Sequence, residues 1–112
     1  MRSVAIKRAY DPPSPKDGSR ILVDRLWQHG LAKKKAALDG WMKDVAPSTH
    51  LRQWFGHKPE RFTEFAKRYR AELKDNPALE ALRALKGKVT LIYGARDPKI
   101  NHAIVLAKLL RP

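Results

Sequence analysis

A chain of 112 residues can bury roughly 65% of the surface its unfolded form exposes, enough for one hydrophobic core and too little for two, so residues 1–112 are expected to form a single domain. Cysteine is absent, which excludes disulfides, thiolate metal sites and cysteine nucleophiles and fits a reducing compartment such as the cytoplasm. Lysine and arginine number 24 against 11 aspartates and glutamates, a formal net charge of +13; a field of that sign draws phosphates, nucleotides and nucleic acid toward the chain without choosing among them.

Met1 to Tyr10 holds too few consecutive apolar residues for a signal peptide, and no later apolar run approaches the ~20 residues of a membrane span. Val4-Ala5-Ile6 and Ile21-Leu22-Val23 are short branched apolar runs bounded by charge and turn formers, and both read as buried strands. Between them, Asp11 to Ser19 carries three prolines and one glycine, so it is expected to be an ordered loop rather than a crossover helix. Leu31 to Leu38 has helical composition, while Trp41 to Val45 fits either a fourth strand or an irregular segment. Ser48 is a good N-cap for a short helix carrying Leu51, Trp54 and Phe55, which Gly56 stops.

Pro59 suits the first turn of the longest helix, whose Phe62, Phe65, Ala66, Tyr69 and Leu73 share one face at helical spacing. Asn76-Pro77 breaks the chain before a helix marked by Leu79, Leu82 and Leu85. Val89 to Tyr93 is the clearest strand, and a final helix from about Asn101 to Leu110 is apolar on most sides. Strands alternating with helices predict an α/β fold, a small parallel-sheet layered sandwich of three to four strands with about five helices.

Ligands of open parallel sheets bind outside the carboxyl ends of the strands. At that edge the first strand delivers Lys7, Arg8 and Tyr10, the second Asp24, Arg25 and Trp27, and the last Arg96 and Asp97. The final helix begins near Asn101 and His102, and its opening N–H groups favour an anion. Arg25 and Arg96 could each offer a planar fork to a phosphate or carboxylate, with Asp24 and Asp97 holding the forks in place. The same aspartates serve equally well as turn caps, and His102 as a histidine satisfied at a helix start. His29, His50 and His57 lack the spacing of a metal site, so no metal and no cofactor is expected. Neither a Gly-x-Ser-x-Gly elbow nor a glycine-rich phosphate loop is present.

The runs Ile21-Leu22-Val23-Asp24-Arg25-Leu26-Trp27, Lys43-Asp44-Val45-Ala46-Pro47-Ser48 and Trp54-Phe55-Gly56-His57, with Asn101-His102-Ala103 near the end, resemble the YeaO-like proteins, a bacterial family of unknown function. The resemblance extends over nearly the whole chain, including the Tyr10-Asp11-Pro12-Pro13 loop. It implies a parallel α/β fold in which one strand ends in an aspartate, matched by Asp24, and a later strand leads into a Cys-His-Arg helix start. His102 matches there, but Asn101 and Ala103 stand where the cysteine and arginine would, so thiol chemistry does not carry over. Gln28-His29-Gly30 stands where the family usually reads Pro-Arg-Gly, so if that arginine binds a ligand in the family, His29 is expected to replace it only in part.

These readings converge on a protein that binds a small phosphorylated or carboxylated ligand, with Arg25, Arg96, Asp97, Asn101, Lys7, Arg8, Trp27 and His29 as binding candidates. If a reaction follows, Asp24 or His102 would move the proton. The alternative is a nucleic-acid-binding module, motivated by the charge and by basic residues spread from Lys33 to Lys88.

Overall fold

The computed structural model describes residues 1–27 and 30–111. Its strands are β1 (Ser3–Arg8), β2 (Ser19–Leu22), β3 (Gly40–Trp41) and β4 (Lys88–Tyr93). Its α-helices are α1 (Lys33–Ala36), α2 (Thr49–Phe55), α3 (Phe62–Leu73), α4 (Pro77–Arg83) and α5 (His102–Leu110). The four strands pair in parallel in the order β1-β4-β2-β3, so the last strand of the chain inserts between the first two. This is an α/β fold with an all-parallel sheet.

Side chains alternate across a strand, and the sheet uses both faces. Ile21, Val23, Val89, Leu91 and Tyr93 join the main core with the buried faces of α2, α3, α4 and α5. Leu22 and Ile92 point the other way, into a smaller cluster with Ala9 that Trp27, Leu31 and Leu38 cover. In α3, Phe65, Tyr69 and Leu73 are buried, each worth about 1.5–3 kcal/mol. Tyr69 donates its hydroxyl to the Val45 carbonyl, and burial, helped by the nearby Glu72 charge, pushes its phenol far above the usual range.

The local signals act as their chemistry predicts. The Ser48 hydroxyl accepts the Leu51 N–H at 3.1 Å, and Gly56, in the left-handed region at φ 54°, ends α2. Asn76 caps α4 with Pro77 in its first turn. Three segments differ from expectation. Pro59–Arg61 is a 3-10 turn and α3 begins only at Phe62. Helix in the 31–38 stretch shrinks to Lys33–Ala36, closed by Ala37 at φ 47°. Beyond the two residues of β3, Lys43–Val45 forms another 3-10 turn, so both readings of that segment were partly right.

The proline-rich loop is built around a buried carboxylate. Ser14 caps a 3-10 turn at Pro15–Asp17, and Asp17 Oδ2 accepts the Ser14 N–H in return. Gly18 then carries the chain into β2 at φ 66°, where a Cβ would lie 2.3 Å from the Lys88 carbonyl oxygen, so only glycine fits this approach to β4.

Candidate functional site

A cavity of about 670 Å³ opens at the carboxyl ends of β2 and β4, the two central strands. The β2–β4 register pairs Leu22 with Ile92, which brings Asp24 beside Gly94. Asp24 Oδ2 accepts the Gly94 N–H at 2.9 Å. Beyond this point the two chains part: β2 leads outward to α1 and β3, whereas β4 leads to α5, which packs on β1 and β4. The gap between the diverging segments is the cavity, as expected at the carboxyl edge of a parallel sheet.

Asp24, Arg25, Trp27, Arg96, Asp97, Asn101 and His102 all line it. His102, the first residue of α5, places Nε2 3.0 Å from the Val23 carbonyl oxygen and 3.2 Å from Asp24 Oδ1. A carbonyl oxygen can only accept, so Nε2 carries a hydrogen and donates it there. Asn101 is 1% exposed. Its side-chain oxygen caps α5 by accepting the Ile104 N–H at 3.0 Å, and its amide nitrogen donates to the Asp97 carbonyl at 2.9 Å.

The division of labour between aspartates and arginines differs from the expected one. Arg25 is oriented by main chain: Nε donates to the Pro47 carbonyl at 3.2 Å and Nη2 to the Ala46 carbonyl at 3.3 Å. Asp97 Oδ1 accepts the N–H groups of Lys99 and Ile100 at 2.8 and 3.2 Å, closing the turn into α5. Arg96 is exposed, and its side chain makes no hydrogen bond or ion pair among the described residues.

Two binding candidates point elsewhere. Lys7 lies one residue out of phase with Val4 and Ile6, so its side chain emerges on the sheet's other face, where Nζ meets Asp17 at 3.0 Å and the Pro12 carbonyl at 2.9 Å. Arg8 donates Nε to the Ala95 carbonyl at 3.1 Å and lies over the Tyr10 ring, bracing the loop behind the cavity without lining it. His29 lies outside the described residues.

Other lining residues gave no chemical signal in the sequence. Arg52 and His57 reach the cavity from α2 and the turn that ends it, and Phe55 and Phe65 form its floor beside Ala46 and Pro47. Arg52 precedes Phe55 by three residues, which is one helical face, so a helix assigned to 48–56 together with a buried Phe55 was the available clue. His57 holds a positive φ of 58°, following the left-handed Gly56. The floor is therefore apolar under a cationic rim. Among the described residues no group of three or more His, Asp or Glu could hold a metal ion, and the lining carries no hydroxyl, thiol or primary amine side chain.

Comparison with known proteins agrees with the resemblance drawn from the motifs. Residues 3–112 match the family described as the inactive DUF488-N3 subclade. The chain is 50% identical over 109 residues to an uncharacterised protein of Mycobacterium tuberculosis and to one of Mycobacterium bovis, covering 96% of this chain and 92% of each relative. It is 43% identical over 113 residues to the uncharacterised protein YeaO of Escherichia coli, covering 97% of each. No solved structure gives a significant match.

Proposed function

This chain belongs to the inactive DUF488-N3 subclade and is a YeaO-like protein, and on that premise we propose that it binds a small phosphorylated or carboxylated ligand without transforming it. The observation that carries the reading is the charge balance of the cavity. Arg25, Arg52 and Arg96 border it, and the side chains of Arg52 and Arg96 make no ion pair among the described residues. The carboxylates of Asp24 and Asp97 are already engaged by main-chain N–H groups. The surplus is positive, and an oxyanion is what planar guanidinium forks complement.

Binding without turnover follows from the same residues. Where the family resemblance expects a cysteine, Asn101 is committed at both ends of its amide to capping α5 and fixing the Asp97 turn. His102 Nε2 lies between the Val23 carbonyl and Asp24, which fixes the orientation of the ring. Isothermal titration with inorganic phosphate tests the proposal. Saturable binding is expected, weakened about tenfold by Arg96→Ala and by Arg52→Ala, since a hydrogen bond to a charged group contributes about 1.5–3 kcal/mol. No saturable, arginine-dependent binding of any phosphate or carboxylate would end it.

A second reading, nucleic-acid binding, draws on the +13 net charge and on the exposed run Lys33, Lys34 and Lys35. It requires affinity for DNA or RNA to fall about 1000-fold or more between low and physiological salt. Filter binding at two salt concentrations measures this, and no retention at low salt removes it.

A further inference from the structure

Resting on the anion-binding reading, we infer that the ligand is an aromatic anion: a flat ring seated on the cavity's apolar floor and carrying a phosphate or carboxylate toward the arginine rim. Size is the first argument. A cavity of about 670 Å³ is in the range of organic-ligand sites, and a bare oxyanion, only a few times the ~30 Å³ of a water molecule, leaves most of it unfilled. The ligand therefore has a body as well as a charge.

The chemistry of that body follows from what it would touch. Phe55 and Phe65 stack on each other with centroids 4.3 Å apart and planes 18° apart. The band continues from Phe65 through Tyr69 at 5.9 Å to His102 at 6.2 Å, and from Phe55 to His57 at 6.1 Å. Phe55 and Phe65 are only 5% and 2% exposed, so the parts of them that reach the cavity are held in place by packing on every other side. Trp27 reaches the same cavity from the β2 loop and is half-buried. Its ring is held by a hydrogen bond from Nε1 to the Leu31 carbonyl at 2.8 Å and by a T-shaped contact with Trp41 at 5.5 Å. A fixed indole lining the same cavity as two buried phenylalanines favours a ring over a flexible chain, because little side-chain freedom is lost on contact and aromatic pairs add to area burial.

A polyhydroxylated body fits poorly. The cavity's Asn101 amide is engaged at both ends, and Asp24 already takes the Gly94 N–H and faces His102. Sugar hydroxyls pressed against Phe55, Phe65 and Pro47 would lose water without equivalent partners, which is unfavourable. The guanidinium groups of Arg52 and Arg96 can meanwhile meet both the anionic substituent and the face of a ring.

Isothermal titration of the full chain with phenyl phosphate, glycerol 3-phosphate and inorganic phosphate reads the inference directly. Phenyl phosphate is expected to bind about tenfold or more tightly than glycerol 3-phosphate, and benzoate to exceed acetate by a similar factor, with the larger of the two aromatic affinities naming the anionic group. Trp27→Leu should bring the phenyl-to-glycerol ratio toward one while the variant retains a cooperative thermal transition. Equal affinities for the aromatic and aliphatic members of each pair in the wild-type chain would overturn the aromatic class and leave anion binding standing. Absence of arginine-dependent binding by every member would overturn the anion reading itself.

Discussion

Two aspartates flank β2, and the groups around them have opposite outcomes. Before the strand, Asp17 meets Lys7 at 3.0 Å and Arg20 at 2.6 Å, and the other guanidinium nitrogens of Arg20 donate to the carbonyls of Ala36 and Ala37. With Asp17 only 7% and Arg20 4% exposed, every charge there is answered from within the protein. After the strand, Asp24 is answered by Gly94 and His102, while the arginines of the rim face a cavity. Residue type does not separate a structural ion pair from a cationic cavity rim; what separates them is whether the fold supplies the counter-charge.

Each centre can be broken separately. The largest effect is expected at the closed one: Asp17→Ala leaves buried Arg20 without its carboxylate and should cost about 3–5 kcal/mol in urea unfolding. A loss below about 1 kcal/mol would show that Arg20 is satisfied by the Ala36 and Ala37 carbonyls alone. Next to it, Gly18→Ala adds a Cβ against the Lys88 carbonyl at a positive φ and should cost about 2–4 kcal/mol. Wild-type stability there would contradict the close approach of the loop to β4.

The same centre gives the pH dependence. Burial raises the Asp17 pKa, but hydrogen bonds from Lys7, the Ser14 N–H and Arg20 outweigh it and lower the value from 3.8 to about 2. A depressed folded-state pKa means that the unfolded chain binds the proton first as pH falls. The contribution, about 2 kcal/mol, is therefore complete above about pH 4 and lost between there and about pH 2. Urea midpoints measured through that window should slope more steeply in the wild type than in Asp17→Asn. The smallest effect belongs to the open centre: Arg96→Ala should change unfolding free energy by less than about 0.5 kcal/mol while reducing anion affinity. A large destabilisation would place Arg96 with the structural pairs and remove it from the site.

Legibility in the sequence followed the range of the interactions involved. Ser48, Gly56, Asn76-Pro77 and Asn101 mark helix ends through bonds spanning only a few residues, and the structure has them in those roles. Asp24, Arg25, Arg96 and Asp97 are candidates because they follow strands, Asn101 and His102 because they open the last helix, and all six line one cavity. Lys7 stands apart from them, because a place at the end of a strand says nothing about which face a side chain takes, and the alternation turns it to Asp17. Arg52 and Phe55 were legible as helix and core, yet nothing in their neighbours says that α2 lies across the mouth of the sheet.

By itself, then, the sequence determined the elements, the α/β class, the excess of positive charge and the absence of thiol chemistry, because these depend on composition, period and contacts a few residues apart. Tertiary structure alone decided that β4 enters between β1 and β2. That pairing joins residues some 70 positions apart, such as Asp24 and Gly94, and it buries one apolar face of the sheet under helices and the other under Trp27, Leu31 and Leu38 at once. Only from that fit does it follow which carboxylate is sealed by its own lysine and arginine and which stands beside an open cavity.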